Sequence, residues 1–215
     1  MIRQHPAPEV LAAFAAGSLH GGAMLVIACH VDACAVCRAE VSLWESTGGA
    51  FLEASETAAL SEGAFDRLLP ALDAPAPRRR APELPKYLRW FDVPAPLLSH
   101  RIGMRRWVTP NIWFAPIAVG AKPPTRTYLV YSRRNTMFPE HTHVGREFTY
   151  VLHGSFSDAT GTYGKGDLAE TDESVLHSPT VTGESDCLCL SSADAPMRLL
   201  GLPARIIQVL AGRHY

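Results

Sequence analysis

Hydrophobic residues recur at helical spacing in the first third of the chain. Apolar residues three and four positions apart share one face of a helix, so this pattern predicts three or four short helices. The clusters are Val10-Leu11-Phe14, Met24-Leu25-Ile27, Val41-Leu43-Trp44 and Phe65-Leu68-Leu69-Leu72. Gly17 and Gly48-Gly49 are expected to separate the helices, and Ser61 is a candidate cap for the last one.

The second half of the chain has the pattern of strands. Short runs rich in β-branched and aromatic residues are separated there by Gly, Pro, Asn and Asp, which favour turns. The predicted strands are Trp107–Ile117, Thr127–Tyr131, Phe148–Leu152, Cys187–Leu190 and Ile206–Leu210. Many short strands of this kind predict a β-barrel or sandwich of the jelly-roll type.

A proline-rich segment lies between the two patterns. Residues 74–96 contain six prolines and the triplet Arg78-Arg79-Arg80. Proline blocks helical and ladder hydrogen bonds, so this segment is predicted to be a semi-rigid linker, with the arginines solvated. The resulting fold class is α+β multidomain, with a small helical domain over residues 1–73 and an all-β barrel over residues 97–215.

Charge narrows the range of partners. The 215 residues include 20 basic and 21 acidic side chains and are 47% hydrophobic, which excludes a wholly disordered chain. Residues 1–73 hold three basic and nine acidic residues, a net charge of −6. An acidic module suits a basic protein surface and repels phosphates, so we expect a protein partner and no direct contact with nucleic acid.

Membrane insertion is not expected. The longest apolar run near the start, Ala23 to Cys29, has seven residues, and a spanning helix needs about 20. The charged and histidine residues of the first 20 positions also make a poor secretion signal, so we expect a cytoplasmic protein.

The five cysteines form two short patches rather than a disulfide framework. In the first patch, His30, Cys34 and Cys37 have the spacing H-x3-C-x2-C, which supplies three of the four ligands of a structural zinc site. His5, just before the first predicted helix, is the preferred fourth ligand, and His20 is the alternative.

Other interpretations of this patch are less suitable. Haem attachment requires His directly after the second Cys, where Arg38 stands. A thioredoxin-like pair belongs to a strand-helix unit, whereas helical pattern flanks this pair on both sides. Buried thiols without metal remain an alternative, and Cys29 is expected in the core.

A second group of metal-ligating residue types lies in the strand-rich half. His141 and His143 are two positions apart, so both point to one side of a strand, and Glu147 and His177 follow. Three imidazoles and one carboxylate suit zinc, iron, manganese, nickel or copper. We therefore predict a divalent metal site inside the barrel.

The remaining cysteines and histidines have weaker signals. Cys187 and Cys189 also share one face of a predicted strand. Packing as small apolar residues is the simpler interpretation, and a redox-active pair is the alternative. His100, His153 and His214 are expected at the surface.

Taken together, these residues resemble the ChrR-type zinc-binding anti-sigma factors, in which a helical anti-sigma domain precedes a cupin. The helical match rests on His5, His30, Cys34 and Cys37. The cupin match rests on His141, His143, Glu147, Gly154, Gly166 and His177. Asp172, Ser174 and Val181 depart from the fuller cupin pattern, which weakens any inference of catalysis and leaves the ligand positions intact.

The resemblance implies a regulatory protein that binds an extracytoplasmic-function sigma factor through its zinc-bound helical domain. It also implies that the cupin controls release of the sigma factor after singlet oxygen or peroxide stress. The alternative is a cupin dioxygenase or isomerase with an accessory helical domain.

Overall fold

A computed structural model of the chain describes residues 1–73, 82–120 and 126–200. The predicted strand Ile206–Leu210 and the Arg78-Arg79-Arg80 triplet lie outside these ranges. The helices are α1 (Pro8–Ala15), α2 (Gly21–Ala33), α3 (Ala35–Glu53), α4 (Ala64–Asp73) and α5 (Ala95–Leu98), with a 3-10 turn at Lys86–Leu88. The described strands are β1 (Arg101–Ile102), β2 (Arg106–Thr109), β3 (Ile112–Ala118), β4 (Arg126–Ser132), β5 (His141–Thr142), β6 (Glu147–His153), β7 (Ser155–Ser157), β8 (Thr162–Gly164), β9 (Leu168–Thr171), β10 (Thr180–Thr182), β11 (Cys187–Ala193) and β12 (Arg198–Leu199).

The strands of the described residues form one large sheet and two small ones. The large sheet has the order β1-β3-β4-β11-β6-β9, with β2 paired to β3, and its described pairs are antiparallel. The small sheets are β10-β7-β8 and β12-β5. Residues from all three sheets line one interior cavity, as a barrel of the predicted jelly-roll kind requires.

Both faces of the large sheet are covered. Leu129, Tyr150 and Leu190 lie side by side on the outer face, where they belong to the same core as helix α2. The next residues along these strands, such as Val130 and Cys189, face the cavity. Strand β11 is consequently buried at six consecutive positions and does not alternate between buried and exposed.

Helix α2 joins the two halves of the chain. Its residues Leu25, Val26 and Ile27 are buried together with side chains of the large sheet, so α2 and this sheet share one core, while a second cluster of buried residues lies inside the barrel. An apolar helix that is covered on most sides shows little amphipathic pattern, so the sequence of α2 indicates its burial more clearly than any single buried face.

Part of the predicted linker packs against this core. Leu88 and Leu97 are fully buried, and the Tyr87 hydroxyl donates a hydrogen bond to Gly103 O at 2.6 Å. Helix α5 contacts α2. The boundaries at residues 73 and 97 stay predictions, while residues 82–98 are bound to the folded body rather than solvated along their length.

Two predicted elements differ in detail. The single strand predicted over Trp107–Ile117 is a hairpin of β2 and β3, because Pro110 and Asn111 form a turn in which Thr109 Oγ1 accepts two backbone N–H groups. Helix α3 continues through Gly48-Gly49, where a separation was expected. Each exposed glycine lowers the stability of the helix by about 1 kcal/mol, and a helix of 19 residues can accommodate this loss.

The last predicted helix is present, but its start differs. Helix α4 begins at Ala64, and Ser61 Oγ accepts a hydrogen bond from Arg67 instead of capping the helix.

Among the described residues, no single helix has the length and hydropathy to cross a membrane. Helices α2 and α3 pass that test only as a pair, and they are bent by 117° at their junction.

Two candidate metal centres

The first centre, which we call the helical centre, comprises His5, His30, Cys34 and Cys37. His30 lies in the last turn of α2, Cys34 stands between α2 and α3, and Cys37 lies in the first turn of α3. The 117° bend at this junction turns the side chains toward one point, and the extended segment before α1 brings His5 over them. The structure thus brings together the four residues chosen from the sequence.

The distances in the helical centre fit a tetrahedral ion. His5 Nδ1 lies 3.5 Å from Cys34 Sγ and 3.3 Å from Cys37 Sγ, and His30 Nε2 lies 3.3 Å from Cys37 Sγ. All four ligand atoms lie within 4.8 Å of one another. Ligands about 2.0–2.3 Å from a shared zinc ion have separations of this order.

Protonation in the helical centre agrees with metal binding. Burial lowers the pKa of His30 to about 4, so its imidazole is neutral and can act as a ligand. Burial, together with hydrogen bonding to Cys34, raises the pKa of Cys37 to about 12. A cation is therefore needed to hold the Cys37 sulfur as a thiolate.

The two other residues weighed for this centre lie elsewhere. His20 is the N-cap of α2, where its Nδ1 accepts the N–H of Ala23 at 3.2 Å, and its Nε2 lies 3.0 Å from Asp194 Oδ1. Cys29 is fully buried in the core.

The second centre, which we call the barrel centre, comprises three buried histidines with Glu147 at its edge. His141 on β5 and His177 form an isolated bridge through two backbone hydrogen bonds of 3.0 Å. His143 Nε2 lies 2.9 Å from His177 Nε2 and 3.3 Å from Glu147 Oε2. These separations suit ligands of one divalent ion, and burial lowers the pKa of His141 and of His143, which keeps both imidazoles neutral.

Neighbouring groups orient the ligands of the barrel centre. His141 Nδ1 donates to Pro139 O at 2.8 Å, and His177 Nδ1 pairs with Asp158 Oδ2 at 2.7 Å. Burial alone would raise the pKa of Asp158, but hydrogen bonds from His177 and Thr160 lower it to about 2. Asp158 is therefore an anion that fixes the tautomer of His177.

The carboxylate of the barrel centre is also held in place. Glu147 Oε1 accepts a hydrogen bond from Ser191 Oγ at 2.6 Å. Ser191 and Asp158 were not predicted as site residues, because they reach the centre from strands and loops that are distant in the sequence.

An apolar cavity of about 330 Å³ adjoins the barrel centre. Its walls include Phe114, Val130, Phe156 and Val181. Cys187 and Cys189 also line it as free thiols, with their sulfurs 3.6 Å apart. The hydrogen bond with Cys187 and burial raise the pKa of Cys189, so this thiol is protonated.

Comparisons with known proteins found relatives of both halves of the chain. Residues 101–195 match the family model described as the ChrR cupin-like domain. The anti-sigma-E factor ChrR of Cereibacter sphaeroides is 34% identical over 217 residues, which cover 96% of this chain and 97% of the relative. The crystal structure of Rhodobacter sphaeroides SigE in complex with the anti-sigma ChrR contains a chain with 30% identity and a TM-score of 0.75, covering 90% of this chain and 100% of that one.

Proposed function

Because the chain belongs to the ChrR family of anti-sigma factors, which are regulatory proteins and not enzymes, we propose that it binds an extracytoplasmic-function sigma factor and holds it inactive. The related ChrR is in complex with SigE, which supports a partner of the same class for this chain. The alternative of a cupin dioxygenase or isomerase is not supported by these relatives.

The proposed binding face rests on one observation. The apolar stripe of α3 continues beyond Val41, the last residue of this helix that the core covers. Cys37 and Val41 are the buried residues of this helix. Positions seven apart lie on the same side of a helix, so Trp44 and Phe51 continue the line of Cys37, yet they are 40% and 73% exposed. Exposed apolar surface of this extent is typical of an interaction site.

Helix α4 enlarges this apolar surface. Its large side chains at Phe65, Leu68, Leu69 and Leu72 are all exposed. We name the exposed apolar residues of α3 and α4 the sigma-binding face. The net charge of −6 on residues 1–73 complements a basic partner, such as the DNA-facing surface of a sigma factor.

Zinc in the helical centre would fix the direction of α3. With only two buried residues, this long helix gains little from burial and depends on its first turn and on its contact with α1. A metal bound by Cys34 and Cys37 anchors that first turn to α2 and to His5. We propose zinc here because two thiolates and two imidazoles are the ligands of structural zinc sites.

The barrel would act as the sensor. Zinc, iron, manganese or nickel all suit three imidazoles and a carboxylate. Singlet oxygen and organic hydroperoxides are small and uncharged, so an apolar cavity of about 330 Å³ admits them to the centre and to the thiols of Cys187 and Cys189. A hydroperoxide that oxidises both thiols to a disulfide is itself reduced to an alcohol and water. Such a change would release the sigma factor.

The proposal is tested by co-expressing the full chain with each extracytoplasmic-function sigma factor of its host. We expect a stoichiometric complex with one of them. Trp44→Glu and Phe51→Glu should weaken it at least 10-fold in calorimetry, because each places a charge in the apolar contact. Ser42→Glu adds the same charge on the opposite side of α3 and should leave the affinity within about 2-fold. Equal affinities for all three variants would refute the proposed face.

A further inference from the structure

The helical centre is joined to the barrel by the turn between β8 and β9. This turn, residues 164–168, touches both the histidine of α2 and the segment that carries His5. We infer that Gly166 and Asp167 position His30 and His5, so that the metal affinity of the helical centre depends on the barrel. The inference rests on the proposed metal occupancy of that centre.

The carbonyl group of Gly166 orients the imidazole ring of His30. His30 is fully buried, and its Nδ1 lies 2.9 Å from the carbonyl oxygen of Gly166. A carbonyl only accepts hydrogen bonds, so Nδ1 carries the proton and the lone pair of Nε2 points at the sulfur of Cys37. Such a contact fixes both the tautomer and the ring direction of a metal ligand.

Asp167 acts on the segment before His5. Its Oδ1 accepts the N–H groups of Arg3 at 2.6 Å and Gln4 at 3.0 Å, and its Oδ2 accepts the N–H of Gly164 at 2.9 Å. The carboxylate is 5% exposed, which makes these hydrogen bonds strong. The N–H of Leu168 completes the contact by donating to Gln4 O at 3.1 Å.

His5 needs this support more than the other ligands do. It is the one exposed member of the helical centre, and it belongs to no helix. Its position is set by the hydrogen bonds of residues 3 and 4 on one side and by the buried Pro6 on the other. If the turn moves away, the fourth ligand loses its anchor while the other three stay on α2 and α3.

Gly166 also approaches the N-terminal segment closely. Its φ is +94°, and a Cβ at this position would lie 2.7 Å from Ile2 Cγ1. A residue with a side chain is strained there and would push the segment outward. The family resemblance accounts for this glycine as part of a cupin pattern, whereas the contact ties it to the helical centre.

The coupling is reciprocal. If docking of residues 2–5 on the turn raises metal affinity, bound metal must strengthen that docking by the same factor. Removing a hydrogen-bonded neighbour of a metal ligand typically lowers affinity 10- to 100-fold. We expect effects at the lower end of this range, because His30 and both cysteines remain in place.

The test uses the full chain with cobalt(II) in place of zinc. Cobalt bound to thiolates gives a characteristic absorption band, which reports the helical centre separately from the histidines of the barrel. Competition with a chelator then gives its affinity. Asp167→Asn replaces the carboxylate with an amide, and Arg3→Pro removes one N–H donor at an exposed position outside the helices and strands.

Two matched controls separate this effect from simple loss of charge or side chain. Arg3→Ala removes the same side chain and keeps the N–H, and Glu184→Gln removes an exposed charge elsewhere on the barrel. We expect about 10-fold weaker cobalt binding for Asp167→Asn and several-fold weaker binding for Arg3→Pro, with both controls within 2-fold of the wild type.

The possible results are distinguishable. Wild-type affinity in both Asp167→Asn and Arg3→Pro overturns the inference, even if Asp167→Asn alters stability. If Cys34→Ser with Cys37→Ser leaves the cobalt-thiolate band unchanged, the proposed metal site itself fails, whatever the turn does.

Discussion

The helical region and the barrel both assemble metal-ligating side chains, but many large apolar residues of the barrel face its interior, whereas many of those in the helical region face solvent. In the barrel, apolar side chains surround a cavity, and strand pairing brings His141 and His177 together. In α3 and α4, large apolar side chains point to solvent, and the ligands come from three separate segments. We therefore expect a bound metal to organise the helical region and to contribute less to the fold of the barrel.

The largest expected effect comes from removing the helical ligands. Cys34→Ser with Cys37→Ser should abolish one metal equivalent and lower sigma-factor affinity at least 100-fold, because α3 loses the anchor of its first turn. Metal analysis and calorimetry measure both effects. Cys187→Ser is the matched control, since it changes a buried thiol outside the helical centre. A double variant that binds the sigma factor normally would remove the proposed difference between the two regions.

A smaller effect is expected when a neighbour of the ligands in the barrel centre is replaced. Asp158→Asn replaces the anion that orients His177, and we expect 10- to 100-fold weaker metal binding in the barrel. Chelator competition measures this affinity, and the cobalt-thiolate band should stay unchanged. The strands should remain folded, which circular dichroism checks. Loss of barrel structure would show that this metal, too, has an organising role.

The smallest effect concerns acid stability of the metal-free chain. The pKa of His30 falls from 6.5 to about 4 on folding, because burial disfavours the imidazolium. Below pH 6.5 the unfolded chain binds a proton that the folded chain excludes, so this site lowers stability as the pH falls from 6.5 toward 4, with no effect above that window. Urea unfolding at pH 7 and pH 5 measures the slope.

His30→Asn is the control for this prediction, because it removes the titrating ring from the core. Its unfolding should lose part of the pH dependence seen in the wild type. An identical slope in the variant would assign the acid sensitivity to other groups.

The sequence was most informative where ligands are close together along the chain. His30, Cys34 and Cys37 fall within eight positions, and His141 and His143 are two positions apart at β5 and directly after it, so local geometry alone placed them side by side. Asp158 and Asp167 were missed because their contacts arise from sheet pairing and from a turn that meets the N-terminus. No local spacing encodes such contacts.

The structure differs in detail from two local interpretations, and both differences had visible signals in the sequence. The pair Pro110 and Asn111 favours a turn, yet the surrounding apolar run was treated as one strand. In the predicted linker, Leu84, Tyr87 and Leu88 stand among the prolines, and these apolar side chains pack into the core. Proline content describes the backbone conformation of such a segment, whereas its hydrophobic residues determine whether it docks.

The hydrogen bond between Asp167 and Arg3 joins residues that are 164 positions apart. It can form only after both residues have been synthesised. Translation at roughly 5–20 residues per second separates these two residues by about 8 to 30 seconds. In the growing chain, α3 and its cysteines are therefore exposed to the cell well before Asp167 can fix the position of His5. The newborn protein would bind its partner at full strength only after Asp167 has been synthesised and its turn has folded.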